Sequence, residues 1–318
     1  MYSYEYSSLN FRLLDTVITV MNVSLAKAPL HPSMTAIDGY LSVLCNLIDE
    51  IDIHRKETLV TAEPEPLHQL RIAIRQARSV LRESRKVMPA DIAHAMAKDL
   101  AWLSSITGDV RDLDTLVEHW PVYERMVEPR DVNRLQVVIR EICFRQMELR
   151  REMCAQLNSQ RAITLINEWQ VQLIDGTGFG RDAPASCEAL TDVVARRLSK
   201  AHRQLVQDCR RIDAKSSDDD IHALRKDAKR IRYLAQGFSG VFTPKNEDSI
   251  LPRLLHLQDT LGEFQDLRIH EAAIKDALLY LRPIYTSPTI EATEELLRQM
   301  RLRRQKLRKK VINGVLRA

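Results

Sequence analysis

The chain has 318 residues, with few glycines and with aromatic residues at only 5%, a composition that favours helix and argues against a β-sheet protein. Its five cysteines show no CxxC pairing, which excludes a disulfide framework, and no His/Cys cluster has the spacing of zinc ligands. A net charge of +4 is small for a chain with 47 Lys and Arg residues, so total charge alone does not indicate a polyanionic partner.

The first 33 residues are predicted to be an N-terminal extension with one short amphipathic helix. This extension lacks the basic start and the long apolar run of a signal peptide. No segment of the sequence is apolar and long enough to span a bilayer. We therefore expect a cytoplasmic protein without membrane contact.

Beyond the extension, apolar residues recur at steps of three and four, which predicts an all-α fold. The stretch GTGFGRDAP at 176–184 holds three of the nine glycines and is the best boundary between segments 34–175 and 185–318. Helices are predicted over 35–55, 66–87, 91–105, 131–156, 162–173, 188–211, 219–238, 250–260, 268–280 and 289–316.

The two segments are related by an internal repeat. A shift of 154 positions places PLHQLRIAIRQAR over DIHALRKDAKRIR without a gap, and the same shift places TGDVRD over LGEFQD. Two motifs about 40 residues apart seldom align at one register by chance. We therefore interpret the two segments as a duplication of one helical unit.

Cations follow one face of a helix in each half, because they recur at steps of three and four residues. Like charges at this spacing destabilise an isolated helix by roughly a few tenths of a kcal/mol per pair. A chain that has such a row of cations in both halves either neutralises the cations with its own carboxylates or uses them to bind an anion. The first stripe is His68, Arg71, Arg75, Arg78, Arg82 and Arg85, and the second is His222, Arg225, Lys229 and Arg232, with Lys226 and Arg230 beside them.

Carboxylates near the stripes offer a structural alternative. Asp112 and Asp266 end the two aligned motifs, and each is predicted to bond the arginine just after the motif histidine and so join two helices. Further candidate partners are Asp109, Asp114 and Glu263. Such pairs would account for about one arginine in each half and leave the rest of the stripe to a ligand.

The motif histidines and glycines have two interpretations. His68 and His222 lie in the first turn of their helices, where a histidine is explained by capping or burial, but their register with the stripes favours ligand contact. The free N–H groups of a first helical turn also favour bound anions. Gly108 and Gly262 are predicted to be structural and to let the helix turn tightly before the aspartate.

The pattern HxLRxxxRxxR followed by LxxLxxxxGxxxD, present twice, resembles the conserved histidine α-helical domain (CHAD) family from about residue 34 to the C-terminus. The segment LNSQRAITLINEWQ resembles the end of the family's first half. The resemblance implies two up-and-down four-helix bundles related by a pseudo-twofold axis, and binding of inorganic polyphosphate through a basic surface. Gln76 and Gln265 depart from the family's pattern, which has cations at these positions.

The resemblance implies that the stripe residues contact polyphosphate, and association with polyphosphate granules is a further expectation. We also expect no cofactor, no metal and no catalysis. The predicted contacts are His68, Arg71, Arg75, Arg78, Arg82, His222, Arg225, Lys229, Arg230 and Arg232. Secondary contacts are predicted on two other basic helices, at Arg196, Arg197, Arg203, Arg301, Arg304 and Arg308.

Three other functions compete with polyphosphate binding. A nucleic acid would be held by the same cations as a non-specific polyanion, but the stripes contain only Tyr233 as an aromatic residue for base stacking. A phosphate-cleaving enzyme would need clustered metal ligands or a glycine-rich phosphate loop. A helical interaction scaffold would pair all of its cations internally.

Overall fold

The chain is helical throughout the part that the structure describes. The computed structural model describes residues 29–176, 178–241, 250–285 and 287–315. Within these ranges there are ten α-helices and no β-strand, so the all-α prediction is confirmed. None of the described helices is long and apolar enough to cross a bilayer. The helices are α1 (Ala36–Val60), α2 (Pro64–Glu83), α3 (Ala90–Ile106), α4 (Gly108–Glu124), α5 (Pro129–Leu157), α6 (Gln160–Asp175), α7 (Leu190–Arg211), α8 (Asp218–Gly237), α9 (Ile250–Leu281) and α10 (Ser287–Val315).

Several helix ends follow directly from the local sequence. The Thr35 hydroxyl accepts a hydrogen bond from the Asp38 N–H at 3.3 Å and so caps the start of α1. Ser159 caps α6 in the same way, accepting from the Ala162 N–H at 3.3 Å. Helix α6 ends at Gly176, whose φ of 64° is the left-handed conformation that glycine adopts without steric cost.

Two predictions about the helices are wrong. Helix α4 was not predicted: no helix was assigned between 105 and 131, yet this segment is helical from Gly108 to Glu124 and the helix continues through Pro121. Segments 250–260 and 268–280 were predicted as separate helices, but α9 is continuous. The turn predicted at Gly262 is therefore absent. A Cβ at Gly262 would touch only the Arg225 Nη2 atom, at 4.0 Å, so steric crowding does not require glycine there.

The described residues divide into two compact units, and each unit draws on both halves of the sequence. Within the described ranges, unit 1 comes from 29–104, 157–200 and 232–241, and unit 2 from 105–156, 201–231 and 250–315. Helices α7 and α8 therefore contribute residues to both units. The boundaries predicted at 34–175 and 185–318 concern the sequence repeat, and they stay a prediction. The helix predicted in the N-terminal extension falls on residues 1–28, outside the described ranges.

In unit 1, α1 packs against α2 and α6. Tyr40 of α1 is fully buried, and its ring lies 4.8 Å from the ring of Phe238, just after α8. The Tyr40 hydroxyl donates to the Glu83 carbonyl at 3.3 Å, which ties α1 to the end of α2. Burial of the Tyr40 and Phe238 rings contributes about 1.5–3 kcal/mol each relative to exposure. Because this burial anchors Tyr40, its hydrogen bond to Glu83 fixes the C-terminal end of α2.

Unit 2 has an apolar core built from α4, α5, α9 and α10. His270 of α9 is buried in it and links three polar groups. The Tyr123 hydroxyl lies 2.6 Å from its Nδ1, and the Thr115 hydroxyl lies 3.1 Å from its Nε2 and donates to the Asp112 carbonyl at 2.8 Å. This network is consistent with a neutral imidazole that donates from Nε2 and accepts at Nδ1. Burial lowers the pKa of His270 to about 3.

Candidate functional site

The first stripe runs along α2 in unit 1 and becomes more exposed toward the C-terminal end of the helix. Arg71 is buried, and its Nη1 donates to the Ser104 carbonyl at 3.1 Å, so this arginine is tied to the end of α3. Arg75 is half-buried, and Arg78 and Arg82 are exposed. The guanidinium groups of these last three form no ion pair or hydrogen bond with any residue that the structure describes. They are thus available to an anion.

Further cations of unit 1 come from α7 and α8. Arg197 of α7 donates to the Arg85 carbonyl, just past α2, and its charge acts on the buried Tyr40. Arg196 is paired with Glu188 and is exposed. The Arg232 guanidinium lies 5.2 Å from the Tyr233 ring centre, and its buried Nε has no hydrogen-bond partner in the described part of the chain.

Gln76 of α2 also lies near the end of α8. A Cβ built at Gly237 would lie 3.5 Å from the Gln76 Nε2 atom and 3.4 Å from Val80. The end of α8 therefore packs closely on the face of α2 beside the stripe. Unit 1 thus gathers cations that lie far apart in the sequence, since α2 belongs to the first half and α7 and α8 to the second.

The second stripe begins in unit 2 with a histidine that is held in place by a side chain of α9. The Nδ1 atom of His222 lies 2.9 Å from the Gln265 Oε1 atom, and this side chain stands where the family pattern has a cation. Burial lowers the pKa of His222, and the charge of Lys226 lowers it further, although the bond to Gln265 opposes both effects. His222 is therefore neutral near pH 7, with Nε2 left to accept.

The remaining cations of the second stripe in unit 2 have carboxylate neighbours. Arg225 Nη2 lies 3.6 Å from the Asp266 Oδ1 atom, the ion pair that the sequence predicted between α8 and α9. Arg230 pairs with Asp227, one turn earlier on α8, at 3.2 Å. Lys229 is half-buried.

The secondary arginines of α10 are also engaged within unit 2. Arg304 pairs with Asp218 at 2.5 Å and with the buried Glu271 at 3.1 Å, and Arg308 lies 3.4 Å from the other Asp218 oxygen. Arg301 donates from Nε to the Leu297 carbonyl at 3.0 Å. Arg203 of α7 is exposed. Most of the unit 2 arginines predicted to contact the ligand therefore already face an internal oxygen.

The other predicted carboxylates have different partners. Glu263 pairs with Arg303, which was not among the predicted contacts. Asp114 is buried, accepts a hydrogen bond from Gln146 at 2.6 Å, and has a pKa that burial raises. The predicted bond between Arg71 and Asp112 stays a prediction. No group of three His, Cys, Asp or Glu side chains in the described ranges is placed to hold a metal ion.

The sequence reasoning overlooked Asp218 and Asp219 at the start of α8. Asp219 pairs with Arg268 of α9 at 3.0 Å, and Asp218 with the two arginines of α10. The run of three aspartates in SSDDD was the available signal. It was read as a helix start, although three acidic residues exceed what one helix cap uses.

Comparison with known proteins identifies relatives of this fold. The crystal structure of the CHAD domain from the plant Ricinus communis has a TM-score of 0.72 and 22% identity, with 91% of this chain and 94% of that chain covered. PptA from Streptomyces chartreusis has a TM-score of 0.68 and 16% identity, with 90% of this chain and 100% of that one covered. At these identities the likeness shows the fold alone.

Two curated proteins of Mycobacterium tuberculosis match part of the chain: Uncharacterized protein MT2285 (strain CDC 1551 / Oshkosh) and Uncharacterized protein Rv2226 (strain ATCC 25618 / H37Rv). Each is 24% identical over 208 residues, which is 64% of this chain and 38% of the relative, so the match spans well under half of their length. The sequence profile of the CHAD domain family matches residues 42–275. The chain belongs to the CHAD domain family.

Proposed function

We propose that this chain binds inorganic polyphosphate and does not cleave it. The observation that carries the proposal is the set of three arginines, Arg75, Arg78 and Arg82, which lie on one side of α2 and have no internal partner among the described residues. Like charges this close on a helix are kept at a cost to stability, and a bound anion offsets that cost.

The geometry of α2 suits a linear anion. Arg75 and Arg82 are seven residues apart, so their Cα atoms are separated by about 10 Å along the helix axis, with Arg78 between them. A guanidinium group forks two hydrogen bonds to phosphate oxygens and keeps its charge when it is partly desolvated. A chain of phosphates can therefore run along the stripe and contact successive arginines.

A phosphate chain fits better than a single-stranded nucleic acid. Binding of nucleic acid without sequence preference combines a basic groove with aromatic side chains on which bases stack. Tyr233 is the aromatic residue within the stripes, and it is only 4% exposed, so no base can stack on its face. Nucleic acid would then be held only through its phosphates, as a weaker, non-specific polyanion.

The interaction scaffold is the second candidate, because the ion pairs of Arg225, Arg230, Arg304 and Arg308 are what a scaffold with internally neutralised cations requires. The two candidate functions lead to different predictions for the arginines of unit 1. A scaffold gives no role to the three arginines of α2 that lack partners, whereas an anion binder needs them.

Titration with polyphosphate of defined length across a salt series tests the proposal. The logarithm of the affinity should fall roughly linearly with the logarithm of the salt concentration, because each phosphate contact releases counterions. A flat salt response would rule out polyanion binding and favour the scaffold. Displacement by single-stranded DNA at equal phosphate concentration would favour nucleic acid, and release of orthophosphate during incubation would show catalysis.

A further inference from the structure

The start of α8 carries three successive aspartates that do two different things. Asp220 and Ser217 cap the helix reciprocally: the Ser217 hydroxyl accepts from the Asp220 N–H at 3.2 Å, and the Asp220 carboxylate accepts from the Ser217 N–H at 2.7 Å. These hydrogen bonds hold the pKa of Asp220 below its usual value. The start of α8 is therefore capped without the side chains of Asp218 and Asp219.

The carboxylates of Asp218 and Asp219 face arginines of α9 and α10. Asp218 places one oxygen 2.5 Å from Arg304 Nη1 and the other 3.4 Å from Arg308 Nε. Asp219 lies 3.0 Å from Arg268 Nη1. Two residues that the cap does not use therefore engage three arginines from two other helices.

Asp218, Asp219, Arg268 and Arg304 border a polar cavity of about 450 Å³ in unit 2. Its other charged lining residues are the buried Glu271 and the exposed Lys275 and Asp276. The cavity is open to solvent on the side of the aspartates, since the Asp219 side chain is 81% exposed. An incoming phosphate chain could therefore reach the arginines if the aspartates gave way.

We infer that Asp218 is an intramolecular competitor of polyphosphate, which masks Arg304 on a second phosphate-binding surface that Arg304 forms with Arg268. Carboxylate and phosphate oxygens accept the same forked hydrogen bonds from a guanidinium group, so one can replace the other. Asp218 engages Arg304, and Asp219 engages Arg268 in the same manner. This inference rests on the proposed function. It specifies which cations of unit 2 can contribute to the affinity for polyphosphate and why their contribution is small in the parent chain.

The masked surface does not become wholly basic when Asp218 is neutralised. Glu271, only 3% exposed, still accepts from Arg304 Nε at 3.1 Å. This contact leaves the terminal nitrogens of Arg304 to a phosphate and keeps the guanidinium oriented toward the cavity. Loss of Asp218 should therefore free Arg304 without disordering it, whereas Arg308 stays held by the Ala214 and Ser216 carbonyls, to which its terminal nitrogens donate.

Replacement of Asp218 by Asn, compared with Asp220→Asn, provides the test. Both substitutions remove one negative charge from the same helix start, and the two positions lie well within the Debye length of about 10 Å at 0.1 M salt. The general electrostatic gain should therefore be nearly equal. Only Asp218→Asn removes a carboxylate from Arg304 and Arg308.

With polyphosphate as the ligand, Asp218→Asn should raise the salt slope by about 0.7, because one arginine, Arg304, gains a phosphate contact. At 0.1 M salt this corresponds to a gain in affinity of about fivefold. Asp220→Asn should leave the slope unchanged. Equal slopes in the two variants, with a parent protein that binds, would overturn the inference and leave the proposed function intact.

Arg304→Gln supplies a second measurement that does not depend on the folding of the Asp218 variant. In the parent chain, a masked Arg304 contributes little, so its replacement should leave the slope unchanged. In the Asp218→Asn background the same replacement should cancel the gain. A parent slope that falls by about 0.7 on Arg304→Gln would show an unmasked arginine and defeat the inference. Absence of binding by parent and variants alike would instead defeat the proposed function, and the inference with it.

Discussion

The triple substitution of Arg75, Arg78 and Arg82 by Ala tests the surface that carries the proposed function. None of the three side chains has an internal partner in the described part of the structure, so their removal breaks no ion pair there. Relief of repulsion between neighbours on α2 should raise the stability of the unliganded protein by a few tenths of a kcal/mol. A loss of binding in this variant cannot then be assigned to unfolding.

The expected loss follows from counterion release. For a single-stranded polyanion, each neutralised phosphate contributes about 0.7 to the slope of log affinity against log salt. Three lost contacts should reduce the slope by about 2 and lower the affinity at 0.1 M salt by about a hundredfold. Titrations at four or five salt concentrations, together with a thermal melt of each variant, measure both quantities.

A matched control removes the same charge from arginines that already have carboxylate partners. Arg211, Arg282 and Arg298 are exposed and pair with Asp208, Glu294 and Glu295, respectively. Replacement of these three by Ala should leave the salt slope nearly unchanged. Equal losses in the two triple variants would refute the reasoning, because binding would then depend on net charge and not on the α2 stripe.

Three further outcomes are expected. Arg75→Lys keeps the charge but loses the forked geometry, so polyphosphate titrations should show lower affinity at an unchanged salt slope. Gly39→Ala should destabilise the protein by about 1–3 kcal/mol in chemical denaturation, because its Cβ would lie 2.4 Å from a side-chain carbon of the buried Leu190. The pKa of His270 lies below that of an unfolded histidine, so stability should fall as pH drops through 6.5 toward 3, with about 2 kcal/mol lost at pH 5. His270→Gln should remove that part of the pH dependence in denaturation measured at pH 7 and pH 5, and an unchanged pH dependence would show that His270 is not its source.

The helices were largely predictable because they depend on local signals. The apolar period, the capping residues Thr35 and Ser159 and the terminal Gly176 act within a few residues of the chain. The errors arose where a local signal was overridden by packing. Helix α9 continues through Gly262, because the cost of about 1 kcal/mol for a glycine inside a helix is small beside the burial of Leu261, Phe264 and Leu267 within the predicted break.

The chemistry of the site was predictable only in part. The helical spacing predicted that each stripe lies on one face of its helix. Because a single shift of 154 positions aligns the two stripes, they were expected to be equivalent. In the structure, Arg75 and Arg78 have no carboxylate partner in the described ranges, whereas Arg225 and Arg230 have Asp266 and Asp227 beside them. The repeat predicted the pair of Arg225 with Asp266, but Asp227, the partner of Arg230, stands where the first half has Ala73, so alignment of the cations alone does not show this difference.

The pairing of the α10 arginines depends on contacts across long sequence separations. Asp218 and Arg304 are 86 residues apart, and Arg303 reaches Glu263 across 40 residues. Each pair depends on how α10 packs in unit 2, so no local pattern encodes it. An arginine is available to a ligand only if no folded carboxylate reaches it first. Under the proposed function, the affinity for polyphosphate depends on the positions of a few acidic residues as well as on the stripes of cations, and Asp218→Asn should alter that affinity about as much as the loss of one stripe arginine.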